Sequence, residues 1–193
     1  MGNCHARCEP GESGENCKAS SDRYLSVLKI TSDGRRLGLD QRIINPLLPD
    51  EPGTKVNLCV ANVLKHWREG DSEKLTQLVF CDVSTPSAGT SGEETGFINV
   101  YDDIRRKLIA GGMKPEQVVF IHEAKTDIQK KELFAKVRSG QVRVLIGSTQ
   151  KMGAGTNVQD RLVALHDLDA PWRPRDVGRI LRTFKIKKNV EVT

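Results

Sequence analysis

Two arginines three residues apart, Arg179 and Arg182, close the stretch of this chain that is richest in chemistry, residues 142–182. On a helix that spacing puts both on one face, and paired guanidinium forks suit a chain of phosphates. Upstream of them, polar residues begin where an apolar run stops. Val142 to Ile146 is short and rich in branched residues, the pattern of a strand buried on both faces. Gly147, Ser148, Thr149, Gln150 and Lys151 follow at once, and Gly153 and Gly155 then flank Ala154. Lacking a Cβ, such glycines let backbone approach a ligand, and the hydroxyls and amides beside them can hold phosphate oxygens. A second apolar run, Leu162 to Leu165, leads into His166, Asp167, Leu168 and Asp169, then Pro171-Trp172-Arg173-Pro174.

The elements that must position these residues are legible upstream. Thr54 offers an N-cap to a helix whose Val56, Cys59, Val60, Val63, Leu64 and Trp67 recur on one face, which places Trp67 in the core and His66 toward solvent. Leu75 to Cys81 reads as the first buried strand. Asp82, Val83, Ser84, Thr85 and Pro86 follow where its C-terminal end opens into a crevice. Hydroxyls there suit a backbone-contact loop, and the same residues also suit a simple turn before a proline. Residues 87–96 form a small, polar, glycine-rich loop. Asn99 can cap a helix carrying Val100, Ile104 and Leu108 that Gly111 and Gly112 end. Val118 to Ile121 is a second strand, and Thr126 with Gln129 makes a capping box for a helix presenting Phe134 and Val137, with Gly140 after its end. The alternation of helix and strand predicts an α/β lobe of three layers, with a mainly parallel sheet and helices on both faces.

Length and composition set bounds. At 193 residues the chain holds one domain with a sizeable core. Its net charge of +5 is compatible with a polyanionic partner, although the 25 acidic residues are interspersed and no long basic block occurs. No apolar run approaches the roughly 20 residues that span a bilayer, and no signal-type segment opens the chain, so no membrane is expected and a cytoplasmic location is the default. An odd count of five cysteines argues against a disulfide framework. Residues 1–24 are poor in large apolar side chains and read as a disordered polar leader. Cys4, His5, Cys8 and Cys17 within it match no common zinc spacing, and Ala6 stands where a myristoylation signal carries Ser or Thr. Residues 25–54 form a connector, with Pro46, Pro49 and Pro52 excluding a long helix from residues 40–52. His122 beside Glu123 has the chemistry of a base or metal ligand, but no Cys or second His lies at ligand spacing. No metal site is expected.

Taken together, Ser148-Thr149, Gly153, Gly155, Asn157-Val158, Asp169, Trp172, Pro174 and Gly178-Arg179 with Arg182 resemble motifs V and VI of superfamily-2 helicases. The Swi/Snf-like branch is the most similar, in particular the helicase-like proteins encoded beside adenine-methylase domains on bacterial mobile elements. The resemblance covers roughly residues 28–182. It implies that residues 55–193 are the second RecA-like lobe of an ATP-driven motor on DNA, with RNA not distinguished. Arg179 and Arg182 would then be arginine fingers. Gly153, Gly155 and Asn157 would face the nucleotide cleft, while Thr149, Gln150 and Lys151, with Ser84 and Thr85 of motif IV, would touch the nucleic-acid backbone. In that family a strand-end histidine such as His122 is structural.

Two departures qualify what carries over. No phosphate loop of the form G-x-x-x-x-G-K-[ST] occurs, because the spacing from Gly147 to Gly153 is wrong and no Lys follows. ATP and Mg²⁺ are therefore expected only in combination with a first lobe, in cis in a longer protein or in trans. Second, Asp176-Val177 runs straight into Gly178-Arg179 where the family has a longer helix, and one missing turn moves a side chain by about 5 Å. Lys185 to Val192 reads as an edge strand with basic decoration. A non-enzymatic nucleic-acid or protein-binding module, or a truncated remnant without ATPase activity, is the alternative. A dinucleotide or methyl-donor site at Gly153-Ala154-Gly155 fits less well, since Val158 holds the place of the third glycine.

Overall fold

β1 (Thr76–Phe80) is buried along its whole length, and its side chains alternate between two cores. Val79, with Cys81 just beyond the strand, joins Val144 and Ile146 in one; Leu78 and Phe80 join Leu145 and Leu165 in the other. Successive side chains of a strand point to opposite faces, so a strand buried at every position must be covered on both sides. α2 (Lys55–Glu69) and α3 (Val100–Ala110) supply Val56, Val60, Val63, Ile104 and Leu108 to the first core. α4 (Asp127–Ser139) supplies Leu133 and Val137 to the second. In this computed structural model, which describes residues 14–83, 99–152, 157–169 and 191–192, the remaining strands are β2 (Val118–Phe120), β3 (Val144–Gly147), β4 (Leu162–Asp167) and β5 (Glu191–Val192). Their order is β2-β3-β1-β4-β5, and every pairing is parallel. The three-layer α/β lobe expected from the alternation is the one observed.

Because the strands are parallel, their C-terminal ends share one edge. Asp82, His122, Ser148 and Asp169 all emerge there, as crevices of such sheets require. Local chemistry fixes the helices that lead to it. Thr54 Oγ1 accepts from the Asn57 amide, Asn99 Oδ1 from the Tyr101 amide, and Thr126 with Gln129 forms a capping box. Gly140 ends α4 at φ 77°, a left-handed geometry that strains any residue with a Cβ. All four were legible as caps in the sequence.

The connector departs from its compositional reading. α1 (Gly14–Leu39) runs across the boundary expected at residue 24, since helix hydrogen bonds are local and a polar segment can make them without burying surface. Residues 1–13 of the expected leader lie outside the described residues, as do residues 185–190 of the expected edge strand. After α1 the chain is held to the lobe by ions. Arg42, in a short turn capped by Asp40, bonds Asp40 Oδ2 at 2.7 Å and Asp103 Oδ2 of α3 at 2.8 Å. Lys107 and Arg106 reach the same Asp103 carboxylate at 2.9 and 2.5 Å, and Asp50 bridges Arg42 to Lys107. Burial alone would raise the Asp103 carboxyl, but hydrogen bonds from Lys107, Arg106 and Arg42 outweigh it and hold it below the usual range.

His66 corrects the sequence reading. It is buried rather than solvent-facing, with its ring 6.1 Å from that of His166, because α2 lies across β4 as well as β1. Trp67 is only partly buried at the margin of the same core. No helix among the described residues is long and apolar enough to cross a membrane.

Candidate nucleic-acid interface

Gly147 ends β3 where no larger residue fits. A Cβ there would lie 2.4 Å from Ile121 Cγ2 and 2.9 Å from Met152 Cγ. The close approach lets the chain turn into α5 (Thr149–Met152), with Met152 N–H bonded to the Ser148 carbonyl at 3.0 Å and the Met152 side chain buried. That anchor leaves Thr149 half-buried and Gln150 and Lys151 exposed at the C-terminal edge. Replacing Gly147 with alanine is expected to destabilise the fold by about 1–3 kcal/mol through overpacking and to shift α5, which urea denaturation and the amide spectrum of residues 148–152 would show.

The segment after β1 is tied to α5. Cys81 N–H donates to the Gly147 carbonyl at 3.0 Å, and the Asp82 carboxylate accepts from the Thr149 amide at 2.7 Å. On the other flank, the Asp169 carboxylate accepts from the amides of Asp82 and Val83. These bonds hold Asp82 and Val83 beside α5; Val83 is the last described residue before Ser84 and Thr85. His122 borders this edge. Its Nδ1 is among the buried side-chain atoms with no hydrogen-bond partner, its ring meets Tyr101 edge-on at 5.5 Å, and burial followed by the charge of Lys151 lowers its pKa. Among the described residues, no group of three or more His, Cys, Asp and Glu could hold a metal.

Of the residues singled out in the sequence, Thr149, Gln150 and Lys151 therefore stand together. Asn157 is not with them. It is exposed, and its carbonyl accepts from Arg138 Nη1 at 2.8 Å, where α4 ends at the opposite edge of the sheet. Ser84, Thr85, Gly153, Gly155, Arg179 and Arg182 lie outside the described residues. Asp82 was read only as a residue at a strand end and Asp169 only through the resemblance, and that the two organise this edge went unremarked.

A cavity of about 210 Å³ opens between α2 and the end of β4, lined by Lys55, Leu58, Cys59, Asn62, His166, Asp167 and Leu168. Gln77 donates its amide to the Val63 carbonyl and turns Oε1 toward His166 Nε2 at 2.9 Å, so the imidazole carries its proton on Nε2. Burial, then the neighbouring His66, lowers His166 to about 4. Burial, then the charges of Asp169 and Asp82, raises Asp167 to about 6. The signs are opposite. A raised carboxyl gives stability that is present below its unfolded pKa and lost as pH rises through about 6. A depressed histidine gives stability that is lost as pH falls below its unfolded value. The two offset between about pH 4 and 6. Asp167→Asn is thus expected to raise the melting temperature at pH 8 and to steepen the loss of stability on acidification from pH 6.5 to 4, read by thermal melts across that range.

No family model and no curated protein matches the chain. Among solved structures, the chain is similar to the C-terminal part of the Fun30 ATPase domain, with a TM-score of 0.52 and 17% sequence identity over 76% of this chain. The chain has the fold of a RecA-like lobe. It spans 43% of that solved chain, so the likeness is to one part of a larger assembly of elements. At this identity it is a likeness of fold.

Proposed function

We propose that this chain is the second lobe of an ATP-dependent DNA helicase or translocase of the Swi/Snf-like branch of superfamily 2, of the kind encoded beside methylase domains on mobile elements, working in the cytoplasm. The observation that carries the reading is the C-terminal edge of the sheet. Thr149, Gln150 and Lys151 stand there against the segment leading to Ser84 and Thr85, on a fold similar to part of an ATPase domain. A hydroxyl, an amide and a lysine at one edge suit the backbone of a nucleic acid, contact with which positions a protein without reading sequence. With no phosphate loop in the sequence, no step of hydrolysis is assigned to this chain alone, and Gly153, Gly155 and Asn157 would face a nucleotide held by another lobe. A first lobe, in cis or in trans, would supply ATP and Mg²⁺ binding, and Arg179 and Arg182 would act on the nucleotide held there.

The test is DNA-stimulated ATPase activity. The chain alone is expected to show none. Combined with a first lobe that carries a phosphate loop, it is expected to restore hydrolysis, and Arg179→Ala or Arg182→Ala to reduce the restored rate by about 10³ or more. The absent phosphate loop also favours a second reading, a binding module with no catalytic partner. Nucleic-acid binding without any restored hydrolysis would select it.

A further inference from the structure

We infer that Asp169 is a positioning residue that locks the segments after β1 and β3 into one register, so that both meet a ligand as a unit. The geometry is that of a sheet continued by side chains. The β1–β4 ladder ends with Leu168 N–H bonded to the Phe80 carbonyl at 3.0 Å. One residue later the Asp169 side chain takes over, with Asp82 N–H bonded to its two oxygens at 2.9 and 2.8 Å and Val83 N–H to Oδ2 at 2.5 Å. On the other side of β1 the ladder to β3 ends with Cys81 N–H on the Gly147 carbonyl. There the Asp82 side chain takes over, accepting from the Thr149 amide at 2.7 Å.

Two carboxylates thus staple three adjacent strand ends in the order β4, β1, β3. The staple begins in a buried group, since Asp169 is 7% exposed, and ends at the exposed edge. Arg35 of α1 lies 3.9 Å from Asp169 Oδ2, which joins the connector helix to the same point. A carboxylate is the right group for this task. It has two oxygens for two successive amides, and it holds amides about twice as strongly as a neutral acceptor does. Among the described residues no hydrogen bond or ion pair joins Asp169 to Thr149, so its effect there must pass through Asp82.

Hydrogen exchange at single amides of the 193-residue chain tests the relay. Asp169→Asn and Asp169→Ala are expected to speed exchange at Asp82 and Val83, and also at Thr149, by about tenfold, while Leu133 and Val137 of α4 keep their wild-type rates. Asp82→Ala, a change at an exposed side chain, is expected to speed Thr149 exchange and leave Leu133 and Val137 unchanged. An unchanged Thr149 amide in the Asp169 variants overturns the inference, and so does equal acceleration in α4, which would mark general loss of stability. A second arm rests on the proposed nucleic-acid reading. With a short duplex DNA as probe, Asp169→Asn and Asp82→Ala should each weaken binding, and the double variant should bind no worse than the weaker single one. Wild-type chain that ignores the duplex while Thr149 still responds to Asp169 would refute the functional reading and uphold the relay; the reverse pattern would refute the relay alone.

Discussion

Arg143→Ala is expected to cost about 3–5 kcal/mol of folding free energy, a large part of the roughly 5–15 kcal/mol that holds a domain together. Arg143 is 1% exposed within an otherwise apolar strand region. Its guanidinium donates to the carbonyls of Leu75 at 2.7 Å, Gly70 at 3.0 Å and Trp67 at 3.2 Å, and to Asp71 at 2.9 Å. Asp71 is largely exposed, so that ion pair contributes little. The carbonyls decide the outcome, because those of Leu75 and Trp67 lose the guanidinium donor beneath the turn from α2 to β1 while that of Gly70 keeps the Leu75 amide, and an unsatisfied buried group costs about 1–3 kcal/mol. Lysine cannot reproduce a planar fork spread over several acceptors, and Arg143→Lys should recover only part of the loss. Urea denaturation followed by two probes reads both variants; a loss below about 1 kcal/mol for Arg143→Ala would show that water replaces the fork.

Asp103→Ala is the second large effect, expected at about 3 kcal/mol. The substitution removes the carboxylate on which Arg42, Arg106 and Lys107 converge and leaves the buried Arg42 with Asp40 and Asp50 alone. The connector should loosen before the sheet does, so limited proteolysis within residues 40–52 should accelerate more than cleavage elsewhere. The pH dependence has a definite sign. The Asp103 carboxyl is lowered in the fold, so its contribution is present above the ordinary carboxylate pKa and lost as pH falls through the folded value. Asp103→Ala should therefore be less stable than wild type at pH 7, with the gap closing in acid. A gap that widened in acid would contradict the network's role.

What the sequence made legible were the features that residues settle with near neighbours. Thr54, Asn99, Thr126 with Gln129, and Gly140 act within one helical turn, and the apolar runs at β1 and β3 act through their own composition. The turn after β3 was readable for the same reason, which is why Gly147 to Lys151 were read as the polar residues that follow a buried strand. What stayed hidden acts across the fold. Asp82 meets Thr149 across 67 residues and Asp169 meets Asp82 across 87, and nothing local in either stretch states the pairing. Arg143 sat inside an apolar run, where a strand pattern gives no hint of carbonyls gathered from residues 67–75. His66 was misplaced because burial on the face toward β4 depends on how α2 crosses the sheet, not on the spacing of its apolar residues.

The most direct test of the proposed edge is the affinity of the 193-residue chain for a short duplex DNA between about 50 and 200 mM salt. If the segment at Thr149–Lys151 touches phosphates, the logarithm of affinity should fall linearly with the logarithm of salt. Lys151→Ala should then make the slope shallower by about one, whereas Lys114→Ala, exposed at the opposite edge of the sheet, should leave it unchanged. Binding that ignores salt, or that Lys114→Ala weakens as much as Lys151→Ala does, would contradict the account.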